Sequence, residues 1–395
     1  MEKKNILIIP DACNGNSSGA IVCQMAIRML HELGHNVVVF SEDINDPERM
    51  GDIVYLNRKS FSSKSNIFSF PYRSEYCKVL NQYGINVVFI LGSITNKPLC
   101  YLEEAYKRRL KVIVKIFMQD FFCAKFYAND RFGICVKCLK NPFNAIHNHC
   151  CGRGWQADTI AIYRMLVRKR LKNLLPKADY VITSTDEQIG FYKQFGIPLS
   201  KCIKTPLYFN AERFVNAPTS LGDYYIGIAQ RRVEKGFHLL PNILKYCSES
   251  VKIVLAYANE DQTKRAENDE LFKPHIESGK LIVRQASWKN GLLGLVANSK
   301  GVIIPSIWPT TTEYGLLEAL ALQKCVFCFK VGIHSEKIIN GVNGFAFPIT
   351  SEVAFANALE DFNEDKFKAM LPGITNLYKE LTNYNGWLET LKTLL

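Results

Sequence analysis

The chain has 395 residues, of which 48% are hydrophobic and 22% charged, with a formal net charge of +12. That length exceeds one comfortable core and predicts two domains, while no apolar run approaches the roughly 20 residues of a membrane span. The charge is uneven. Residues 1–222 hold 30 of the 49 Lys and Arg but 18 of the 37 Asp and Glu, so the whole excess lies in the first half. Such asymmetry points the first domain at something negative, a membrane surface or an anionic substrate; the alternative is a merely soluble basic surface. The opening MEKKNILIIPDAC has too short an apolar core for a signal peptide and reads as a first buried strand. Thirteen cysteines in so long a chain therefore read as reduced thiols or metal ligands, and the cytoplasm is the expected location.

In chain order, NILIIP is strand-like and leads through the loop DACNGNSSG into a helix from Ala20 to about Leu33, stopped by Gly34. NVVVF, INVVFIL, KVIVKIF and DYVITS are short β-branched runs of the buried parallel kind. Helical patterns separate them, among them YRSEYCKVLNQYG and the basic IAIYRMLVRKRLKNLL. The segment FFCAKFYANDRFGICVKCLKNPFNAIHNHCCGRGW breaks the alternation and reads as an insertion over about residues 120–157. The pattern pauses from Phe209 to Asp223, then restarts with DYYIGIA, VKIVLAY, LIVRQA, GVIIPS and CVFCF. Two such series predict an α/β protein of two doubly wound Rossmann-like domains facing each other across a cleft. The expected boundaries are 1–210, 222–375, and a final helix over 376–395 that packs back on the first domain.

Ligands of open α/β sheets bind beyond the carboxyl ends of strands. One such place is strand GVIIPS, turn WPTTT and helix EYGLLEALAL, where Thr310 and Glu313 fit a capping box as N-cap and N3. A capped helix start also presents amides and a positive dipole end to anions. Glu318, between Leu317 and Ala319 on an apolar helix, is costly unless hydrogen-bonded, and a ribose diol would serve. The other place is YYIGIAQRRVEKGFHLL, with Arg231, Arg232 and Lys235 ahead of Gly236. Such cations suit a diphosphate; a solvated basic loop is the alternative.

These stretches, with KVGIHSEKI and NGVNGFAFP after them and ILIIPDACNGNSSGAIVCQMAIRMLHELGHNVVVF and ITSTDEQIGFYKQFGIP before, resemble the retaining GT-B glycosyltransferases of family 4 over nearly the whole chain. The resemblance implies a GT-B fold with an acceptor-binding first domain and a nucleotide-sugar-binding second one. It implies transfer, with retention, from a UDP- or GDP-sugar to a glycan or lipid-linked acceptor in cell-surface polysaccharide synthesis. The expected protein is cytoplasmic and peripheral at the membrane's inner face, with no cofactor for transfer and no nucleic-acid partner.

Carried over residue by residue, Arg231 and Lys235 resemble the pair that holds the donor diphosphate, with Arg232 in reserve. Glu318 matches the ribose-binding second glutamate of the E-x7-E motif. Thr310 stands where the first glutamate should meet the donor sugar, so Glu313 or the hydroxyls of Thr310, Thr311 and Thr312 are expected to take over its contact. Gly19 resembles the glycine that lets the backbone approach the sugars; a loop-to-helix turn is the alternative. Gln119 and Asp120 replace the family's His-Asp pair. Glutamine does not titrate, so that position has no proton shuttle, although it can hydrogen-bond a sugar hydroxyl. Front-face displacement needs positioning and charge neutralisation more than a protein base. His334 is expected to touch the diphosphate or to cap a helix.

A subset of the family carries a cysteine, then C-x-x-C-L, then another cysteine. Cys123, Cys135, Cys138 and either Cys151 or Cys150 fit, with His147 and His149 as substitutes. Four thiolates suit a structural zinc; packed reduced thiols are the other reading. Cys325 and Cys328 lie in a strand and read as core. Arg168, Lys169, Arg170 and Lys172 are expected to form a membrane-facing stripe on one helix. Two rivals stand beside a sugar transferase. One is a nucleic-acid-binding protein, argued from the basic half. The other is a catalytically impaired sugar-nucleotide-binding relative, argued from Thr310 and Gln119.

Overall fold

A computed structural model describes residues 2–13, 18–42, 52–60, 69–130, 133–206, 209, 214, 220–311 and 313–395. The chain forms two units. The first comprises Met1–Ala128, Cys135–Tyr208 and Tyr384–Leu395, and the second comprises Asn129–Ile134 and Phe209–Asn383.

The first unit is built on seven parallel strands. They are β1 (Asn5–Ile9), β2 (Asn36–Ser41), β3 (Val54–Asn57), β4 (Val87–Gly92), β5 (Lys111–Ile116) and, after the two-stranded hairpin β6 (Asn129–Asp130) and β7 (Gly133–Ile134), β8 (Tyr180–Thr183) and β9 (Cys202–Lys204). The spatial order is β3-β2-β1-β4-β5-β8-β9. Leu7 pairs with Val38 on one side and Val88 on the other. The central strands are buried along nearly their whole length, which is why their sequences are continuous Val/Ile runs rather than alternating ones.

The second unit repeats the plan with β10 (Tyr225–Ala229), β11 (Ile253–Tyr257), β12 (Leu281–Gln285), β13 (Gly301–Ile304), β14 (Val326–Phe329) and β15 (Phe345–Phe347). Their order is β12-β11-β10-β13-β14-β15, again all parallel. Phe327 packs against Phe345 and Phe362 in its core. In each sheet the strand order reverses beside the first strand, between β1 and β4 and between β10 and β13. Loops leaving the carboxyl ends of those strands are the places a doubly wound sheet offers a ligand.

The helix Glu364–Leu381 belongs to the second unit, so residues 376–383 stay there. The helix Tyr384–Leu394 belongs to the first, and buries Trp387, Leu391 and Leu394. Lys111 Nζ donates to the carbonyl of Leu394 at 3.0 Å, and Lys115 Nζ lies 5.2 Å from the centre of the Trp387 ring. Burial pushes the Lys115 ammonium down to about 7.

After β5 the insertion runs through the β6–β7 hairpin and the short helices Lys137–Lys140 and Asn144–His147 into the long helix Trp155–Leu174. Two arginines of that helix reach back into it: Arg164 donates to the Ala124 carbonyl and Arg168 to that of Cys123. This corrects the expected basic stripe. Arg168 is buried, because helical phase turns it to the side that carries Val167 and Leu171, and Arg170 pairs with Glu103. The stripe contracts to Lys169 and Lys172. No helix of the described residues is long and apolar enough to cross a membrane.

Candidate active site

The loops after β10 and β13 are stitched together by backbone. Gly236, at φ +72°, ends the turn Val233–Lys235, and a Cβ there would lie 1.7 Å from the carbonyl oxygen of Pro305. Only glycine fits, for both its left-handed backbone and that contact. Beside it, the Ile307 amide donates to the Glu234 carbonyl at 3.0 Å. These contacts bring Lys235, from the first loop, to Glu313, from the second.

Lys235 Nζ lies 3.1 Å from Glu313 Oε1 and 3.5 Å from Oε2, and Ser306 Oγ donates to Oε2 at 3.1 Å. Burial would raise the Glu313 carboxyl, but Lys235, His334 and the hydrogen bonds from Lys235 and Ser306 outweigh it and hold the group below the ordinary glutamate range. His334 faces the same charges from the helix Gly332–Lys337. It is fully buried, and burial pushes its imidazole down despite the pull of Glu313. Among the described residues, neither of its ring nitrogens has a hydrogen-bond partner of normal geometry. The cluster is therefore an anion, a cation and a neutral imidazole at the switch point of the second sheet.

The expected capping box does not form. The helix begins at Tyr314, and Glu313 is its N-cap residue, with an extended backbone and no side-chain bond to the helix amides. A lysine ammonium and a serine hydroxyl occupy its carboxylate, and a charged partner is the stronger competitor. Thr310 is not the cap either. Its amide donates to the Trp308 carbonyl, and its carbonyl accepts from Ile333. Gly332, at φ +51°, lies so close that a Cβ there would come within 2.4 Å of the Thr310 carbonyl oxygen. Thr310 and Thr311 are buried, and Thr312 lies outside the described residues. Glu318 is buried on the same helix, five residues after Glu313. Among the described residues, His334 caps no helix.

The arginines go elsewhere. Arg231 donates to the Arg265 carbonyl at 2.7 Å and lies 3.1 Å from the Asp269 carboxylate; Arg232 sits 2.5 Å from Glu234. Of the three cations read from this motif, Lys235 is the one held against Glu313. Sequence reasoning missed Ser306 and Asp269, neither of which lies in a pattern that marks it.

At the switch point of the first sheet the structure brings Asp120 together with Ser93 and Thr95, beside Asp11 and Lys97, four residues that sequence reasoning missed. Asp11, just past β1, accepts from the Ser93 amide at 2.6 Å and pairs with the buried Lys97 at 2.6 Å. Gly92, at φ +112°, leaves room for it: a Cβ would lie 2.3 Å from the Asp11 carboxylate. Asp120 accepts from the Ser93 hydroxyl and from the amide and hydroxyl of Thr95. Burial raises its carboxyl, against those bonds and Arg168. Gln119 is equally buried and donates to Gln188 at 3.3 Å. Gly19 lies in the first turn of the helix Ser18–Glu32, where a Cβ would make only ordinary contact with Phe117; Asn14–Ser17, before it, lie outside the described residues.

In the insertion, burial pushes the Cys138 thiol up to about 12, and Cys123, Cys150 and Cys135 add to the shift as charged neighbours. Cys151, the preferred fourth thiol, instead accepts from Arg164 at 3.5 Å. Burial raises the Cys150 thiol, with Cys123, Cys135 and Cys151 adding to the shift and Lys125 opposing it. The donor set suits zinc, but at these positions no three Cys, His, Asp or Glu side chains among the described residues share a place for an ion. Cys325 and Cys328 are buried in the second core.

No protein-family profile and no curated protein sequence matches the chain. Solved structures match it end to end. HepE of Anabaena, in complex with UDP-glucose, aligns at 14% identity and a TM-score of 0.68, over 99% of this chain and 100% of that one. A glycosyltransferase from Rickettsia africae aligns at 15% identity and 0.71, over 100% and 98%. WaaG, a glycosyltransferase involved in lipopolysaccharide biosynthesis, aligns at 12% identity and 0.67, over 98% and 99%. The chain has the GT-B fold. Its neighbours in structure are GT-B glycosyltransferases, and its two Rossmann-like α/β units are the two of that fold.

Proposed function

We propose that the protein is a retaining glycosyltransferase of the family 4 kind, moving a sugar from a nucleotide-sugar to a glycan or lipid-linked acceptor in cell-surface polysaccharide synthesis. The observation that carries the proposal is the Lys235–Glu313 pair at the β10/β13 switch point, with Glu318 on the helix that starts there. Lys235 neutralises the leaving diphosphate, and Glu318 receives the ribose hydroxyls. The acceptor oxygen attacks the anomeric carbon from the face that the diphosphate leaves. The carbon–oxygen bond to the diphosphate breaks, and the acceptor proton passes to a diphosphate oxygen. Such chemistry asks the protein for positioning and charge rather than a base. A UDP-sugar is the first candidate donor, since HepE was solved with UDP-glucose.

The test is a thermal-shift panel of UDP-, GDP- and ADP-sugars. One donor should raise the melting temperature, and short DNA or RNA should not, which separates this reading from nucleic-acid binding. Lys235→Ala and Glu318→Ala should each weaken that donor by about 1.5–3 kcal/mol, the range of charged hydrogen bonds. Unchanged donor affinity in Glu318→Ala would sink the site. A second reading, a donor-binding relative with impaired chemistry, is favoured by Gln119 standing buried where a titrating residue would be. Turnover or slow hydrolysis of the bound nucleotide-sugar removes that reading.

A further inference from the structure

The ion pair at the β10/β13 switch point is lopsided. Lys235 keeps 21% of its side chain exposed, and Glu313 only 7%. An anion arriving from water meets the ammonium, while the Ser306 hydroxyl holds the carboxylate inside. The other buried group of the cluster is the imidazole of His334. Its helix, Gly332–Lys337, is pinned to the Glu313 loop by backbone, since the Ile333 amide donates to the Thr310 carbonyl at 3.0 Å. Burial keeps that imidazole neutral with the help of Lys235, against the pull of Glu313 and the Phe329 carbonyl. The other groups nearby do not compete for a proton. Cys328 of β14 is pushed up by burial and by Glu313, and so stays a thiol. On the histidine's own helix, Lys337 is paired with Glu380.

We propose that donor binding takes up one proton at His334, which then replaces Lys235 as the counterion of Glu313. The inference rests on the reading of Lys235 as the cation that meets the diphosphate. In the empty site the charges balance, one ammonium against one carboxylate. A diphosphate beside Lys235 spends that ammonium on the ligand and leaves a buried carboxylate uncompensated, which is strongly unfavourable. It also cancels the positive charge that helped to keep His334 neutral, so the pull of Glu313 prevails. One ring nitrogen gains a proton from solvent, and no other bond forms or breaks. His334 touches no ligand in this scheme. It is a positioning residue that acts through Glu313, keeping the carboxylate charged and in place at the start of the helix Tyr314–Ala321.

The experiment is titration calorimetry of the full chain with UDP-glucose, whose diphosphate does not itself titrate near neutral pH. Runs in two buffers of unlike ionisation enthalpy count the protons exchanged. Wild type should take up roughly one proton per site, and its affinity should fall by about tenfold per pH unit over the range of that uptake. His334→Gln keeps a polar side chain that cannot titrate, and should lose both the uptake and the slope. Glu313→Gln deletes the charge to be compensated, and should lose the uptake as well. The wild-type count needs no variant, so it decides even where a substitution at these buried positions impairs folding. Binding with equal heats in the two buffers overturns the inference and leaves the donor site standing, as does uptake that His334→Gln retains. If UDP-, GDP- and ADP-sugars all fail to bind, the donor site falls and the inference with it.

Discussion

Glu313 is a buried anion whose charge is held by Lys235 and Ser306, and removing either end of such a pair leaves the other uncompensated. Glu313→Gln should destabilise by about 2 kcal/mol, below the roughly 3–5 kcal/mol of a fully buried pair because Lys235 keeps partial exposure. The sign of its pH dependence follows from the depressed carboxyl. The stabilisation is complete above the unfolded value of about 4.3 and is lost as pH falls through the lower folded value. Melting temperatures of wild type and Glu313→Gln should therefore converge from about pH 5 downward; a constant difference would mean the carboxylate is not the anion described. This residue was only half legible in the sequence. Its place at a helix start beyond a strand's carboxyl end followed from strand, turn and helix, but its partners did not. The T-x-x-E spacing fits a capping box, and no local pattern announces that a lysine 78 positions away takes the carboxylate instead. The partner of Arg231 was illegible for the same reason: Asp269 lies 38 residues on.

Strands and the helices between them were the legible elements. The runs NILII, VVFILG and KVIVKI are buried on both faces of a parallel sheet, so burial leaves its mark on every residue. The insertion leaves no such mark. Its short helices and hairpin have no period, and the basic run of the following helix does not say which arginines turn inward. Helical phase and the carbonyls of Ala124 and Cys123 decide that. Arg164 also lies 4.7 Å over the ring of Phe126, so the insertion is held by cations from within. On its thiols we propose one structural zinc from the sequence spacing of Cys123, Cys135, Cys138 and Cys150 alone, since no three of these side chains among the described residues share a place for an ion as they stand. Protein purified without added metal should contain about one equivalent, lost in Cys138→Ser. Below roughly a tenth of an equivalent in folded protein, the reduced-thiol reading stands.

Each unit has its own parallel sheet and its own core, and the chain returns to the first unit with its last helix. Trp387 is buried there, beside Lys115 of β5, so that helix is part of the first core although it is encoded after the second. The residues assigned to the donor, Lys235, Glu313 and Glu318, all belong to the second. Two perturbations should therefore separate. Trp387→Ala deletes a large buried side chain at a cost of about 3–5 kcal/mol, and amide exchange should speed up in β4, β5 and β8. UDP, binding the folded state alone, should slow exchange at 229–236 and 305–318, and at a hundredfold excess over its dissociation constant the gain is about 2.7 kcal/mol. Exchange read by mass spectrometry resolves both sets of peptides in one experiment. If Trp387→Ala loosens the two sheets equally, the units unfold as one and the last helix is not specific to the first. If UDP protects only peptides of the first unit, the donor site has been placed on the wrong sheet. Slowed exchange at 229–236 that Lys235→Ala abolishes, with β4 and β5 unchanged, is the pattern required by a donor site built between β10 and β13.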